Sequence, residues 1–433
     1  MTVDVQALKA RLAGVSTVAM SGRVVAVTGM SLRFVMAGIR VGDVVRVRRR
    51  GEPLACEVVG FEGAHAIAMP LGALAGVGPD DEVESLGGPL SVRASDRLLG
   101  RVVDGLGRPF DGGAAIDGEP VAVDRDPPGA LTRKPVRRSF ATGVRVIDGL
   151  LSLGEGQRVG LFAGSGVGKS SLLGAIARGA EADVVVVALV GERGREVGEF
   201  LERSLGDDGR RKSVVVVATS DVAALERLRA AQVATAYSEY FRDAGARVLL
   251  LLDSITRFAR AQREVGLAAG EPPARRGYPP SVFAMLPRLL ERSGQSARGS
   301  ITAIYTVLVE GGDMDEPIAD EVRGVLDGHV VLDRQLAARG RYPAVDVNAS
   351  LSRVMDGLVS RDHREAARRL RALVSVYETK RDLITLGAYA KGGDRDLDEA
   401  LTRMPAIEAF LRQDPGVVTP FDSTVGALRS AVA

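Results

Sequence analysis

The segment Arg158–Leu173, which reads RVGLFAGSGVGKSSLL, constrains the fold more than any other part of the chain. An apolar run leads into a turn with glycines at 164, 166 and 168. Lys169 and two serines follow, and then an apolar pattern with helical spacing. This order predicts a buried strand, a glycine-rich loop and a helix. Such a loop turns backbone N–H groups and a helix N-terminus towards a polyphosphate.

The predicted phosphate-binding residues belong to the loop and to the first helical turn. They are Gly164, Ser165, Gly166, Val167, Gly168, Lys169, Ser170 and Ser171. Lys169 can reach the β- and γ-phosphates of a nucleoside triphosphate such as ATP, and the Ser170 hydroxyl can bind Mg²⁺. The usual motif begins with glycine, where this chain has Ala163. Because the rest of the motif is intact, we interpret Ala163 as a tolerated variant.

Composition restricts the classes of partner. The 433 residues include 57 basic and 55 acidic ones, a formal charge of +2, and tryptophan is absent. A basic groove with aromatic stacking for nucleic acid is therefore not expected. The single cysteine, Cys56, excludes an internal disulfide, and we expect it to pack as a small apolar residue. We find neither a secretory leader nor a long apolar run, which predicts a cytoplasmic protein.

The first part of the chain predicts a partner-docking segment and a small barrel. Residues 1–20 contain an amphipathic pattern, with Val5, Leu8 and Leu12 on one side, and a frayed terminus or an ordinary packed helix is an equally open interpretation. Residues 21–92 contain short β runs separated by Gly, Pro and Asp, which is typical of a closed barrel. Examples are Arg23–Val27, Val41–Val47, Cys56–Phe61 and Ala66–Met69.

The remainder predicts an α/β domain over residues 93–345 and a helical domain over residues 346–433. Leu99–Asp111 and Asp126–Val136 are interpreted as the linker into the α/β domain, and the β pattern fades after Tyr342. Apolar runs separated by helical stretches indicate a parallel sheet buried on both faces. The runs are Val184–Val190, Val214–Ala218, Val248–Leu252, Ile301–Leu308 and His329–Leu332.

Acidic residues follow two of these runs. Asp253 ends the run RVLLLLD, where a carboxylate beside the phosphate loop can hold Mg²⁺. Glu192 and Arg193 follow another strand, where a carboxylate can polarise a water and a guanidinium can contact the γ-phosphate. A solvated charged turn explains Glu192 and Arg193 equally well, and the residues alone leave both interpretations open.

Five ordered motifs give the chain a family resemblance. They are LFAGSGVGKS, VGERGREV, LLLLDSITRFARAQRE, EPPARRGYPPSVFAMLPRLLERSG and RYPAVDVNASLSRVM. Over residues 22–412 the chain resembles the catalytic subunits of rotary ATPases and their type III protein-export relatives. This resemblance implies a P-loop (RecA-like) α/β core between an N-terminal β-barrel and a C-terminal helical domain. It also implies rings of six subunits with nucleotide sites at the interfaces.

The resemblance also implies roles for single residues. Glu192 is similar to the general base, Arg193 to a γ-phosphate contact and Asp253 to the acid that coordinates Mg²⁺. Tyr342 matches the aromatic residue that stacks on adenine. Arg353, in SLSRVM, matches an arginine finger that reaches the neighbouring subunit's site, where it would join Lys169 and Glu192 in catalysis.

Among the relatives, the chain resembles the flagellar export ATPases. This implies a homohexameric ATPase at the cytoplasmic face of the membrane export gate, with regulatory and stalk proteins and chaperone–substrate complexes as partners. A virulence-secretion ATPase, a catalytic subunit of an ATP synthase and a ring-shaped nucleic-acid translocase are the alternatives. A non-catalytic regulatory subunit is disfavoured because Lys169, Glu192 and Asp253 are all present.

Overall fold

The computed structural model describes residues 20–433. The predicted docking segment, including Val5, Leu8 and Leu12, lies outside the described residues apart from Met20.

The first described region is a closed barrel of six strands, in the order β1-β2-β5-β4-β3-β6. The strands are β1 (Ser21–Thr28), β2 (Ser31–Val35), β3 (Asp43–Arg48), β4 (Leu54–Glu62), β5 (His65–Pro70) and β6 (Glu82–Pro89). Alternate side chains fill its interior, as a small barrel requires. Cys56 is among them, completely buried, and burial raises the pKa of its thiol to about 12. The predicted barrel and the packing of Cys56 are confirmed.

The centre of the molecule is a nine-stranded sheet with the order β19-β18-β12-β17-β15-β13-β14-β8, in which β16 pairs with β17. Its strands are β8 (Val102–Asp104), β12 (Arg158–Ala163), β13 (Val184–Glu192), β14 (Ser213–Thr219), β15 (Arg247–Asp253), β16 (Gly294–Gln295), β17 (Ser300–Leu308), β18 (Gly328–Leu332) and β19 (Val345–Ser352). The strands from β18 to β8 along this order are parallel, while β16 and β19 are antiparallel to their neighbours. The predicted parallel sheet is confirmed.

Helices cover both faces of this sheet, which explains its continuous apolar strands. They are α1 (Arg145–Leu150), α2 (Lys169–Gly179), α3 (Gly194–Glu199), α4 (Gly206–Arg211), α5 (Ala224–Asp243), α6 (Ile255–Ala268), α7 (Pro280–Leu290), α8 (Pro317–Val325) and α9 (Arg334–Ala338). Two small antiparallel pairs flank it, formed by β7 (Ser91–Ala94) with β9 (Glu119–Ala122) and by β10 (Ser139–Phe140) with β11 (Leu153–Gly154).

Two expectations about the boundaries of the sheet are wrong. Leu99–Asp111 is not only a linker, because β8 within it adds to the sheet in parallel with β14. The β pattern also continues beyond Tyr342, because β19 pairs with β18. Both strands lie at edges of the sheet. β8 is only three residues long and β19 carries polar residues, so neither shows the apolar run of a central strand.

The last part of the chain is helical, as expected. Its helices are α10 (Met355–Leu358), α11 (Arg361–Thr385), α12 (Arg395–Leu411) and α13 (Phe421–Val432). The final three pack on each other, and α13 also packs on α1. This packing brings the chain that follows α12 against the start of the α/β core.

Candidate nucleotide-binding site

The glycine-rich loop joins β12 to α2, as the sequence predicts. Gly166 and Gly168 have φ values of 77° and 90°, which favour glycine because a side chain is strained there. Ala163, in contrast, is the last residue of β12 and pairs with Leu308 and Leu332 on the neighbouring strands. A Cβ is compatible with that extended backbone. The structure thus explains why alanine can stand at the first position of the motif.

The side chain of Lys169 joins the predicted residues into one cluster. Its Nζ lies 3.3 Å from Glu192 Oε1 and also contacts Asp253 Oδ1. Glu192 and Asp253 end the neighbouring strands β13 and β15. Carboxyl ends of parallel strands meet at one edge of a sheet, where α/β proteins bind their ligands. At most 12% of each of these three side chains is exposed.

Glu192 is held by charges on both sides. Its Oε2 lies 3.1 Å from Arg257 Nη2 on α6. The two atoms are close enough for an ion pair, but the N–H bond does not point at the oxygen as a hydrogen bond requires. The buried Oε2 therefore has no hydrogen-bond partner in the described chain. Burial raises the pKa of Glu192 above its ordinary value, and neighbouring Glu196 raises it further, while Lys169 and Arg257 oppose the shift. A buried acceptor with a raised pKa is typical of a general base.

Asp253 is held by a neighbouring strand as well as by Lys169. Its Oδ1 accepts a hydrogen bond of 2.7 Å from Thr306 Oγ1 on β17, in addition to the contact with Lys169. Ser170 follows Lys169 in the first turn of α2 and is exposed. A serine hydroxyl and a buried carboxylate are oxygen ligands of the type that Mg²⁺ prefers. The donor set therefore suits the predicted magnesium site.

Tyr342 lies beside the phosphate loop, although 174 residues separate it from Gly168. A Cβ at Gly168 would stand 3.3 Å from two ring atoms of Tyr342. The tyrosine is 43% exposed and lines a cleft of about 450 Å³. The cleft is also lined by Gly168, Ser171, Leu172, Gly340, Pro343, Arg412, Gln413, Asp414 and Pro415. It has the open, partly apolar character that a nucleotide base requires.

Arg193 and Arg353 make no contact with this cluster within the described chain. Arg193 precedes α3, its side chain is 80% exposed and it pairs only with Glu196, at 3.8 Å. Arg353 follows β19, where its backbone N–H donates to Asp327 O. Arg353 therefore lies at the amino ends of the parallel strands, opposite the carboxyl ends that carry Lys169, Glu192 and Asp253. The reason is that β19 runs antiparallel to β18 and ends beside Gly328, the first residue of β18. The length of β12 separates Arg353 from the phosphate loop by about 15–20 Å.

Comparison with known proteins places this geometry in a family. Residues 143–352 match the nucleotide-binding domain of the ATP synthase alpha/beta family, and residues 359–430 match the C-terminal domain of the EscN ATPase of type III secretion systems. A type 3 secretion system ATPase of Xanthomonas euvesicatoria is 52% identical over 412 residues, which cover 94% of this chain and 93% of the relative. The chain belongs to the ATP synthase alpha/beta family.

Further members of the family support this assignment. The flagellum-specific ATP synthase of Bacillus subtilis is 49% identical, with 94% of each chain covered. The structure of the assembled ATPase EscN from enteropathogenic E. coli superposes with a TM-score of 0.90 at 43% identity, over 95% of this chain and all of that chain. A second structure shows EscN with its central stalk EscO, with a TM-score of 0.89.

Sequence reasoning missed part of the site. Arg257 carries a usable sequence signal, because it lies one helical turn beyond Asp253. In the structure its guanidinium meets Glu192 at the end of β13. Residues 412–415, which form one wall of the cleft, carry no such sequence signal. Only the packing of the C-terminal helices brings them beside Tyr342.

Proposed function

We propose that this member of the ATP synthase alpha/beta family hydrolyses ATP to drive type III protein export. The observation that carries the proposal is the buried cluster in which Lys169 contacts both Glu192 and Asp253 beneath the phosphate loop. A structural ion pair needs one acid. Two buried acids that share one lysine, beside a glycine loop with positive φ values, match a site built for triphosphate and metal.

The residues fit ATP with Mg²⁺. The loop glycines leave room for phosphate oxygens, and the buried Oε2 of Glu192 has the free acceptor capacity that a bound water needs. Ser170 and Asp253 would hold Mg²⁺, which supplies positive charge to the phosphate oxygens when it is bound. Tyr342 would stack on the base in the cleft beside Ser171.

Each side chain then has a defined chemical task. Glu192 orients the attacking water and accepts its proton, and Arg257 keeps the carboxylate in place from 3.1 Å. Lys169 neutralises the β- and γ-phosphates as a positive point charge. Arg193, exposed beside Glu192, contacts the γ-phosphate by a side-chain movement.

Arg353 supplies the remaining positive charge to a neighbouring subunit. It lies at the amino ends of the parallel strands, whereas the phosphate loop of the same chain lies at their carboxyl ends. Within one chain it is therefore not placed to act on the nucleotide. A guanidinium in trans stabilises the charge that phosphoryl transfer develops, an effect of about 10³–10⁵ in rate where measured. We therefore propose a homohexameric ring, in line with the relative described as assembled EscN.

One of the proposed partners has a counterpart among these relatives, and the others are those that the family resemblance implies. A stalk protein in the centre of the ring is proposed by analogy with EscN and EscO. Regulatory proteins, chaperone–substrate complexes and a peripheral place at the export gate on the cytoplasmic side complete the proposal. In residues 20–433, no helix is both long and apolar enough to cross a bilayer. Secretion and flagellar relatives match at 48–52% identity, so the flagellar assignment stays a prediction.

The ATPase rate measured against protein concentration tests the proposal. We expect the rate per subunit to rise with concentration, because a complete site needs two subunits, and to be unaffected by single-stranded nucleic acid. A constant rate per subunit would contradict the shared site. Strong stimulation by single-stranded nucleic acid would favour the translocase instead.

A further inference from the structure

The side chain of Gln413, just after α12, joins separate segments of the chain around the base cleft. Its Oε1 accepts a hydrogen bond of 2.7 Å from the Arg145 backbone N–H. Its Nε2 donates to Gly143 O at 2.8 Å and to Val417 O at 2.7 Å. The residue is 9% exposed, and both amide hydrogens are used. The amide is therefore committed to the protein and has no free donor for a ligand.

The backbone of Gln413 reaches the cleft directly. Its N–H donates to Tyr342 O at 2.9 Å, and both residues line the same wall. This hydrogen bond links the C-terminal helical region directly to the segment that contains Tyr342. A shift of the Gln413 backbone would therefore act on the backbone of Tyr342, whose ring stands beside Gly168.

Arg145 strengthens the same junction from the α/β side. Its guanidinium donates to Phe410 O and Ala409 O, both at 3.2 Å, and to Arg412 O. These carbonyls lie at the carboxyl end of α12, where a helix leaves its acceptors unpaired and favours a positive charge. The end of α12 is thus anchored to the start of α1, and Gln413 lies at the centre of that anchor.

We propose that Gln413 is a positioning residue for recognition of the nucleotide base. This inference rests on the proposed function, in which Tyr342 stacks on adenine. Gln413 sets the height of Tyr342 above the phosphate loop and holds the wall formed by residues 412–415. The catalytic contacts of Lys169 are made by strands β13 and β15 and are independent of this junction. Gln413 therefore controls the affinity for the base and not the phosphate chemistry.

The test compares ATP with inorganic triphosphate, which lacks the base and ribose, as substrates of the full chain. For Gln413→Ala we expect the KM for ATP to rise about tenfold, equivalent to about 1.4 kcal/mol, while kcat stays within about twofold. The KM for inorganic triphosphate should stay at the wild-type value. Gln335→Ala is the matched control, because Gln335 is exposed on α9 and its side chain bonds only to Arg339, the residue that follows this helix.

A double-mutant cycle with Tyr342→Ala then asks whether Gln413 acts through the tyrosine. We expect the two effects on the KM for ATP to be non-additive, as for residues in contact. Should Gln413→Ala not fold, Gln413→Met keeps the length of the side chain and is judged by the same criteria.

Three results would overturn the inference. They are an unchanged KM for ATP, an equal loss for ATP and inorganic triphosphate, or additive effects in the cycle. Failure of the wild-type protein to hydrolyse ATP would overturn the proposed function itself, so the two failures are distinguishable.

Discussion

Lys169 Nζ lies 3.3 Å from Glu192 Oε1, across 23 residues of sequence, and its other contact is Asp253, 84 residues away. One ammonium group therefore neutralises two carboxylates that burial would otherwise penalise. A bound triphosphate competes with both of them for this positive charge. In the proposed mechanism, the binding of ATP would therefore release from Lys169 both Glu192, the proposed general base, and Asp253, the proposed Mg²⁺ ligand.

Lys169→Ala is expected to abolish ATP hydrolysis, with a loss of at least about a hundredfold, because a donor aimed at developing charge is removed. The structure adds an effect on stability. Asp253, whose side chain is 4% exposed, loses its counter-charge, and Glu192 keeps only Arg257; breaking a buried pair in this way costs about 3–5 kcal/mol. Urea unfolding and ATPase assays measure both effects. Lys134→Ala is the control, because Lys134 is exposed. Activity near the wild-type value in Lys169→Ala would contradict the proposed role of the phosphate loop.

Glu192→Gln should bind ATP but lose hydrolysis by about 10²–10⁴-fold, because an amide cannot accept the proton of the attacking water. The substitution keeps the shape of the side chain. Equilibrium binding of ATP and single-turnover hydrolysis separate the two steps. Glu199→Gln, an exposed glutamate on α3, is the matched control. Normal turnover by Glu192→Gln would show that Glu192 belongs to a charged turn.

The pH dependence of kcat/KM should reflect the protonation of the Glu192 carboxylate. Only the carboxylate accepts a proton, so activity falls as pH drops through the pKa of this group. Because burial and Glu196 raise that pKa, the loss should begin above the pH at which an ordinary glutamate titrates. Glu196→Gln removes a negative charge and should move the loss to lower pH. An unchanged profile would mean that another group controls the acid side.

Arg353→Ala should bind ATP nearly normally and hydrolyse it poorly, because the arginine acts on charge in the transition state. Mixing it with Lys169→Ala tests the shared site. An interface that combines an intact loop from the first variant with Arg353 from the second is complete, so mixed rings should regain activity that neither parent shows. The ATPase rate across mixing ratios measures this recovery. No recovery under conditions where subunits exchange would place the action of Arg353 within its own subunit.

The sequence predicted the barrel, the parallel sheet and the helical end because each depends on local pattern. Apolar runs such as Val248–Leu252 identify strands buried on both faces, and the glycines before Lys169 permit the positive φ values that its turn requires. The strands at the edges of the sheet were harder to predict from the sequence. β8 is only three residues long and β19 carries polar residues, so neither shows the continuous apolar run of a central strand.

The sequence by itself determined the phosphate loop, the order of the acids and the identity of the strands that carry them. Tertiary structure alone decided which groups meet: it placed Lys169 between Glu192 and Asp253, seated Tyr342 over Gly168 and left Arg353 on the far edge of the sheet. The reason is physical. Local pattern fixes backbone conformation and burial, whereas contacts between residues far apart in the chain depend on strand order and on the docking of the last helices.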